Sequence, residues 1–455
     1  METLVPISDD WRPTEAAVTP IAKADRPVIG ALATILTAQI AIFGYVAVRG
    51  FVRQPFSDMF DFLRAEFDLE RGGDLIAYLA APHNHQHLVW VRVLTALDVQ
   101  VFHGTALIFL IAASLSILAG ATGIGVAIWR GTSVRVVGAI GGLVAMLLMI
   151  SAANALDCTQ PINSVYALAF GFAALAILLF ESAAEAERGR TALLLALSLT
   201  AGLGAVAGSA AGVAVLAALF VSAVRQPQNR PLIAPTLLVG LAATALVGSA
   251  MIEGGASPPS AGGVGHAAKI AQYFVVYAGL PWSAAGPLSR IRLATGLATI
   301  GVGAILLWRG SRRDGAAGRL ERIGLDLILF ALVTAAMAAL ARVDESPAVV
   351  VPLRYAVFMS AFQAGVICVL APMLADRWDR LKRFATVAAL VLALALLAEQ
   401  AVAGEGVLQT SIIIRNAVAA FDAGARQPEM HQLIHPDFAL AARMGAECRK
   451  RGLYR

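Results

Sequence analysis

The stretch Phe56-Ser57-Asp58-Met59-Phe60-Asp61-Phe62 carries two carboxylates three residues apart, which places both on one face of a helix. A partly desolvated carboxylate in such a place is suited to act as a general base on an acceptor hydroxyl. The plainer reading is a helix start, with Ser57 or Asp58 as N-cap and acids favoured in the first turn. Twenty residues on, His83, His85 and His87 alternate through Pro82-His83-Asn84-His85-Gln86-His87. Imidazoles suit zinc and similar ions. An extended strand converges poorly on one ion, however, so loop anchoring or hydrogen bonds to a sugar or phosphate are preferred. A divalent metal stays open as a cofactor. Arg342 and Arg354-Tyr355 bracket a short connection, and Lys269 stands in another. A guanidinium offers a fork that matches phosphate oxygens. Singly, each cation pairs most simply with a carboxylate or a lipid headgroup; as a set they fit an anionic ligand anchored in lipid.

These residues must be positioned by a chain of 455 residues that is 58% apolar and only 14% charged, with a mean hydropathy of +0.74. Charge depletion on that scale argues against a soluble, disordered or nucleic-acid-binding protein and fits a chain living mostly in lipid. The first 27 residues lack the short apolar core and cleavage site of a signal peptide, so the run Pro27 to Val48 is read as a retained span. Ten more runs follow, at about 102–129, 136–155, 164–182, 191–207, 210–224, 231–251, 288–308, 323–341, 355–375 and 383–402. The expected fold is all-α and polytopic, with about 11 transmembrane helices. The pair 191–224 meets at a turn of small residues, Gly208 to Gly212.

Lys and Arg fall on every second connection: Arg130/Arg135, Arg188/Arg190, Arg225/Arg230, the cluster from Arg309 to Arg322, and Arg377 to Arg383. By the positive-inside bias these connections and the N-terminal segment 1–27 are cytoplasmic. Residues 50–101, 252–287, 342–354 and the tail 403–455 then lie outside. All seven histidines lie on or beside those outer segments. Within 50–101, Phe56, Met59, Phe60, Phe62, Leu63, Phe67 and Leu69 recur at helical spacing, as in an amphipathic helix lying in the membrane interface. A second such helix begins near His87, and a third runs from Ala267 to Trp282. The organisation expected is a cytoplasmic segment 1–27, a transmembrane domain 28–402 and a small extracytoplasmic helical tail 403–455. In that tail, Val407 to Ala423 and Pro436 to Gly452 each read as a helix. Asp326 and Glu399 sit near span ends, and no nucleotide-binding loop is present. Cys158, Cys368 and Cys448 form no metal or redox spacing; unpaired apolar residues are favoured over a Cys158–Cys448 disulfide.

A span followed by a long outer loop that opens with acids and carries interface helices resembles the glycosyltransferase C superfamily. Its members are polytopic enzymes that move sugars from polyprenyl-phosphate carriers outside the cytoplasm. Ser57-Asp58-Met59-Phe60-Asp61 stands where that superfamily keeps its catalytic or metal-associated acid. His83-Asn84-His85-Gln86-His87 and Arg354-Tyr355 resemble motifs of bacterial relatives. The resemblance implies an inverting transferase in a bacterial inner membrane, acting in cell-envelope polysaccharide biosynthesis. Its partners would be membrane lipids, a polyprenyl-phosphate-linked sugar donor and a glycan or glycolipid acceptor, with no nucleic acid. Asp58 would be the base and Asp61 its substitute. Arg354, with Arg342 or Lys269, would steady the leaving phosphate. His83, His85, His87 and Tyr355 would line the same cavity. The chain departs from better-known branches in lacking an Asp-Glu pair at the loop start and a large C-terminal domain. The rival readings are a lipid or glycolipid transporter (flippase) and a non-catalytic envelope assembly partner.

Overall fold

The computed structural model describes residues 21–84, 86–225, 230–253, 264–280, 290–312, 318–343, 351–427 and 433–454. Among these residues the chain is helical, and the one extended pairing is a bridge between His83 and Gln86. Helix α1 (Arg26–Gly50) leads to three shorter helices, α2 (Met59–Glu70), α3 (Leu75–Ala80) and α4 (Val89–Gln100). The bundle continues through α5 (Leu107–Gly131), α6 (Arg135–Met149), the single turn α7 (Leu156–Thr159), α8 (Ser164–Ala183), α9 (Arg188–Gly208) and α10 (Val213–Arg225). After α11 (Arg230–Glu253) and α12 (Val264–Ala278) come α13 (Arg290–Arg312), α14 (Arg319–Arg342), α15 (Ala356–Ala375), α16 (Trp378–Asp422) and α17 (Phe438–Arg451).

Among the described residues nine helices are long and apolar enough to cross a membrane: α1, α5, α8, α9, α11, α13, α14, α15 and α16. They also carry large apolar side chains facing outward, among them Leu115, Leu193, Leu238, Ile305 and Val391. Apolar exposure on this scale needs a non-aqueous surrounding. The protein is therefore an all-α, multi-pass membrane protein. The two remaining hydrophobic runs form shorter apolar helices, Arg135–Met149 and Ala210–Arg225. At 1.5 Å per residue, the 15 residues of the first reach only about 22 Å. The run 136–155 stops being helical at Ile150, where the backbone turns and Gln39 of α1 donates to the carbonyls of Leu147 and Ile150. The run 191–224 breaks at Ser209, as the small residues there lead one to expect. Ser209 is extended and its hydroxyl accepts from the Ala211 N–H, while a Cβ at Gly212 would collide with the Ala205–Val206 backbone.

Small residues let the central helices approach closely, the usual device where lipid removes the hydrophobic drive for association. Gly324 of α14 and Gly365 of α15 face one another, so a Cβ on either would lie 2.6–2.7 Å from the other's carbonyl oxygen. Gly120 of α5 makes room for the ring of Phe170 on α8. Phe170, Phe180, Phe330 and Phe358 fill the centre.

The two ends of the bundle differ. At one end, buried Arg322 pairs with buried Glu181 and, at 2.7 Å, with Glu185; Ser222 donates to Glu181 at 3.0 Å. Asp326 is buried one turn further along α14. The other end, here the rim, is built by the 51–106 segment and the C-terminal tail. There α16 differs from expectation: the last span and the first tail helix form one uninterrupted 45-residue helix. Neither proline nor a change of period interrupts residues 383–422, so loss of apolar character near 402 marks no break in the backbone. Gly404 lies against Val46 and Ser411 against Gly50, so α16 runs parallel to α1 and overshoots it. Its last turns then pack Val418 and Phe421 against Val52, Phe56 and Phe60.

Helix α2 also differs from an interface helix. Its apolar face is covered by protein, with Phe60 in the cluster shared with α16 and α17. Leu63 and Phe67 join Val99 of α4, Cys448 and Leu453. Instead, Leu75 and Ile76 of α3 are exposed, Ile76 by 78%. Helix α12 covers the beginning of the third expected interface helix; Trp282 lies outside the described residues. The end of the tail docks on the rim, where Tyr454 N donates to the Gly104 carbonyl at 2.9 Å. Gly104 has φ +68°, and a Cβ there would meet the Leu453 side chain at 2.7 Å. All three cysteines are buried and unpaired.

Candidate functional site

Asp58 is delivered by a strained turn. After α1 ends, Val52 N donates to the Thr159 carbonyl at 2.9 Å, and Ser57 adopts a left-handed conformation (φ 50°) with its N–H donated to the Ile434 carbonyl. Asp58 then occupies the N-cap position of α2, yet its side chain caps nothing. Its Oδ2 accepts instead from Asn84 Nδ2 at 2.8 Å and meets His83 Nε2 at 3.0 Å. Ser57 donates to Oδ1 at 3.4 Å. Asp58 thus stands at the helix start, as the plainer reading expects, but its side chain faces a partner loop instead of capping the helix.

That loop is a tight turn. His83 N donates to the Gln86 carbonyl at 2.7 Å, Gln86 N returns the bond at 2.9 Å, and Asn84 has φ 45°, a conformation asparagine tolerates better than most residues. Gln86 Oε1 accepts from Ser209 Oγ at 3.2 Å and from Ala210 N at 3.1 Å, fixing the loop to the break between α9 and α10. The His83 ring packs on Phe62, centroids 4.6 Å apart. His85 lies outside the described residues. His87 does not reach Asp58; its two ring nitrogens are buried without a partner.

One turn along α2, Asp61 Oδ2 meets His435 Nε2 at 3.1 Å. His435 Nδ1 lies 2.9 Å from the Asp437 N–H and 3.1 Å from the Asp437 carbonyl, which fixes the ring with Nε2 facing Asp61. Behind both acids Arg92 is buried between the rings of Phe62 and Tyr78, each centroid 5.3 Å away, and its guanidinium donates to the Ala81 carbonyl at 3.0 Å. Burial pushes the Asp58 carboxyl up, but the hydrogen bond and charge of His83, with the charge of His435, outweigh it and hold its pKa below the usual value. Glu66, a turn beyond Asp61, goes the other way: burial raises it, and Gln100 donates to it at 2.8 Å. Among the described residues no three His, Cys, Asp or Glu side chains converge as a metal-binding group.

The basic candidates separate. Arg354 and Tyr355 sit in a second, buried cluster at the head of α15. The guanidinium lies 5.8 Å from the Tyr166 ring centroid and 5.6 Å from that of Tyr355. Tyr355 stacks on Tyr277 at 5.4 Å and meets Tyr166 edge-on at 5.2 Å. Arg342 is near enough for its charge to reach Arg354 and Tyr166. Lys269 is exposed on α12, two turns before Tyr277. The α7 turn next to Thr159, whose carbonyl holds Val52, carries Asp157 within electrostatic range of Arg354. Both clusters therefore lie at the rim end.

Sequence reasoning missed His435, Asn84, Arg92 and Asp157. His435 stands 374 residues from Asp61, and its one signal is that the histidines all sit on outer segments. A cleft of about 520 Å³ lies beside the Asp58 turn, between residues 54–60, the end of α16 and α17, lined by Phe60, Phe421, Arg426, Ile434, Arg449 and Tyr454. It shares the Ser57–Ile434 wall with the site, although Asp58 and Asp61 do not line it.

A carboxylate held ionised and oriented, half open to solvent, can receive a proton or hold a hydroxyl. A half-buried arginine among buried tyrosines can hold an anion. Comparisons with protein-family models, with curated proteins and with solved structures return no match. The chemistry assigned to the site therefore rests on its own residues.

Proposed function

We propose that this protein is a membrane glycosyltransferase that moves a sugar from a polyprenyl-phosphate carrier to a cell-envelope glycan or lipid acceptor. The observation that carries the reading is Asp58, an N-cap residue whose carboxylate is turned away from its helix and held by His83 and Asn84. In this reading the acceptor oxygen attacks the anomeric carbon as the bond from that carbon to the phosphate oxygen breaks, inverting the centre. The acceptor's proton passes to Asp58. The lipid phosphate leaves as an anion and is steadied by Arg354, with Arg342 in support. A depressed pKa suits Asp58 to orienting the hydroxyl and taking its proton late, as the bond to the leaving group lengthens.

The protein belongs, in the same reading, to a bacterial inner membrane. It crosses eleven times if α6 and α10 complete short or tilted crossings. The rim then faces the periplasm with the C-terminus, and the N-terminus is cytoplasmic. The gathering of Arg225, Arg319 and Arg322 at the opposite end supports that orientation. The resemblance to the glycosyltransferase C superfamily enters as part of this proposal.

Incubating the purified protein with a panel of polyprenyl-phosphate sugars and acceptors, and measuring release of free lipid phosphate, tests the reading. Asp58→Asn is expected to lower release by about 10²–10⁴-fold with unchanged expression and folding. Full activity in that variant moves the role to Asp61 or removes the proposal.

A further inference from the structure

The connection from α6 to α8 and the helices facing it hold a concentration of buried polar atoms without protein partners. Both carboxylate oxygens of Asp157, which is 1% exposed, have none. Nor do Ser151 Oγ, Asn154 Oδ1, Ser164 Oγ, Tyr277 Oη and Arg354 Nε. Each such atom costs about 1–3 kcal/mol, and native proteins contain few. So many in one region mark a place whose hydrogen-bond partners come from outside the chain.

Their arrangement says what kind of molecule supplies them. Asp157 and Arg354 are close enough to interact electrostatically but form no ion pair, and Asp157 is equally within range of Tyr277. The guanidinium is held against the faces of Tyr166 and Tyr355 instead of closing on the acid. Burial raises the Asp157 carboxyl well above its usual range, with the charge of Arg354 opposing. A simple anion would match Arg354 and leave the hydrogen-bonding capacity of Asp157 and Tyr277 unused, whereas a neutral polyol would leave the guanidinium unmatched. A phosphate ester bearing hydroxyl groups satisfies both.

We infer that Asp157 and Tyr277 bind hydroxyl groups of the sugar whose phosphate lies on Arg354, and so choose which lipid-linked sugar this protein takes. This rests on the transferase reading for the identity of the ligand. Asp157 is a specificity residue in it; the proton still goes to Asp58.

The test is binding, kept apart from turnover. Protein in nanodiscs is titrated with farnesyl phosphate and with a panel of farnesyl-phosphoryl pentoses and hexoses, with thermal unfolding measured alongside. Wild type is expected to bind at least one sugar-bearing lipid more tightly than farnesyl phosphate. Asp157→Leu, similar in volume and apolar, should abolish that preference, a loss of tenfold or more, while farnesyl phosphate binds as before and the melting temperature holds or rises. A retained preference, an equal loss for both ligands, or no preference in wild type overturns the inference. If Asp157→Leu does not fold, Tyr277→Phe decides: a selective loss for the sugar-bearing lipid supports the inference and none overturns it. Selective binding without transfer to any acceptor would sink the transferase reading alone. Transfer by Asp157→Leu with unchanged donor preference would sink this inference alone.

Discussion

The acids at the two ends of the bundle are held in opposite ways. At the end away from the rim, Glu181 is closed off from solvent and Arg322 binds it together with Glu185, tying α8 to α14. At the rim, Asp58 and Asp61 remain part-exposed; Asp58 is met by His83 and Asn84, and Asp61 by His435 at 3.1 Å and by exposed Arg64 at 3.5 Å. An arginine stays charged at any pH a cell meets, so the first arrangement is permanent. The rim contacts are made to carboxylates that solvent still reaches, so the second leaves its acids able to engage a ligand. One end reads as a rivet and the other as a site.

Mutation should separate the two ends, and the largest effect is expected at the rivet. Arg322→Ala leaves Glu181 buried with its charge uncompensated, a change worth about 3–5 kcal/mol. Thermal unfolding in detergent should show a much lower melting temperature, and an unchanged one would remove the contrast. A smaller loss is expected from His435→Gln, which keeps a hydrogen-bonding amide near Asp61 but loses the ring that reaches it. Stability should fall by about 1 kcal/mol, while lipid-phosphate release drops clearly. Unchanged release would make His435 a packing residue.

The smallest effect is in the acid limb of stability. The folded-state pKa of Asp58 is depressed, so its contribution is complete above the usual carboxylate value of 3.8 and drains away as pH falls through the lower folded value. Stability profiles of wild type and Asp58→Asn should therefore stay apart by a constant gap above about pH 3.8 and converge as pH falls through the lower folded value. Parallel profiles would show that His83 does not hold this carboxylate.

Much of the scaffold is legible in the chain because long apolar runs leave a helix little choice in lipid. The break at Ser209 announces itself through small residues. The length of α16 does not, since its residues lose apolar character near 402 without any break in helical conformation. The rim residues were visible as types: Asp58, Asp61 and His83 stand out in a charge-poor sequence. Their partners were not, because a 374-residue separation such as that of Asp61 and His435 leaves no periodic trace. Asp157 was hidden differently. It follows Ala152-Ala153-Asn154-Ala155-Leu156 directly, where a lone acid after an apolar run looks like a span boundary.

The continuous α16 helix has a mechanical consequence. At 1.5 Å per residue its 45 residues make a rod about 68 Å long. Pivoted at its far tip, a five-degree lean would carry the other tip sideways by roughly 6 Å. That tip bears on Phe56 and Phe60, which flank the Asp58 turn. A helix longer than the hydrocarbon core adapts to it in part by tilting, so lipid composition has a lever on the spacing between Asp58 and whatever approaches it.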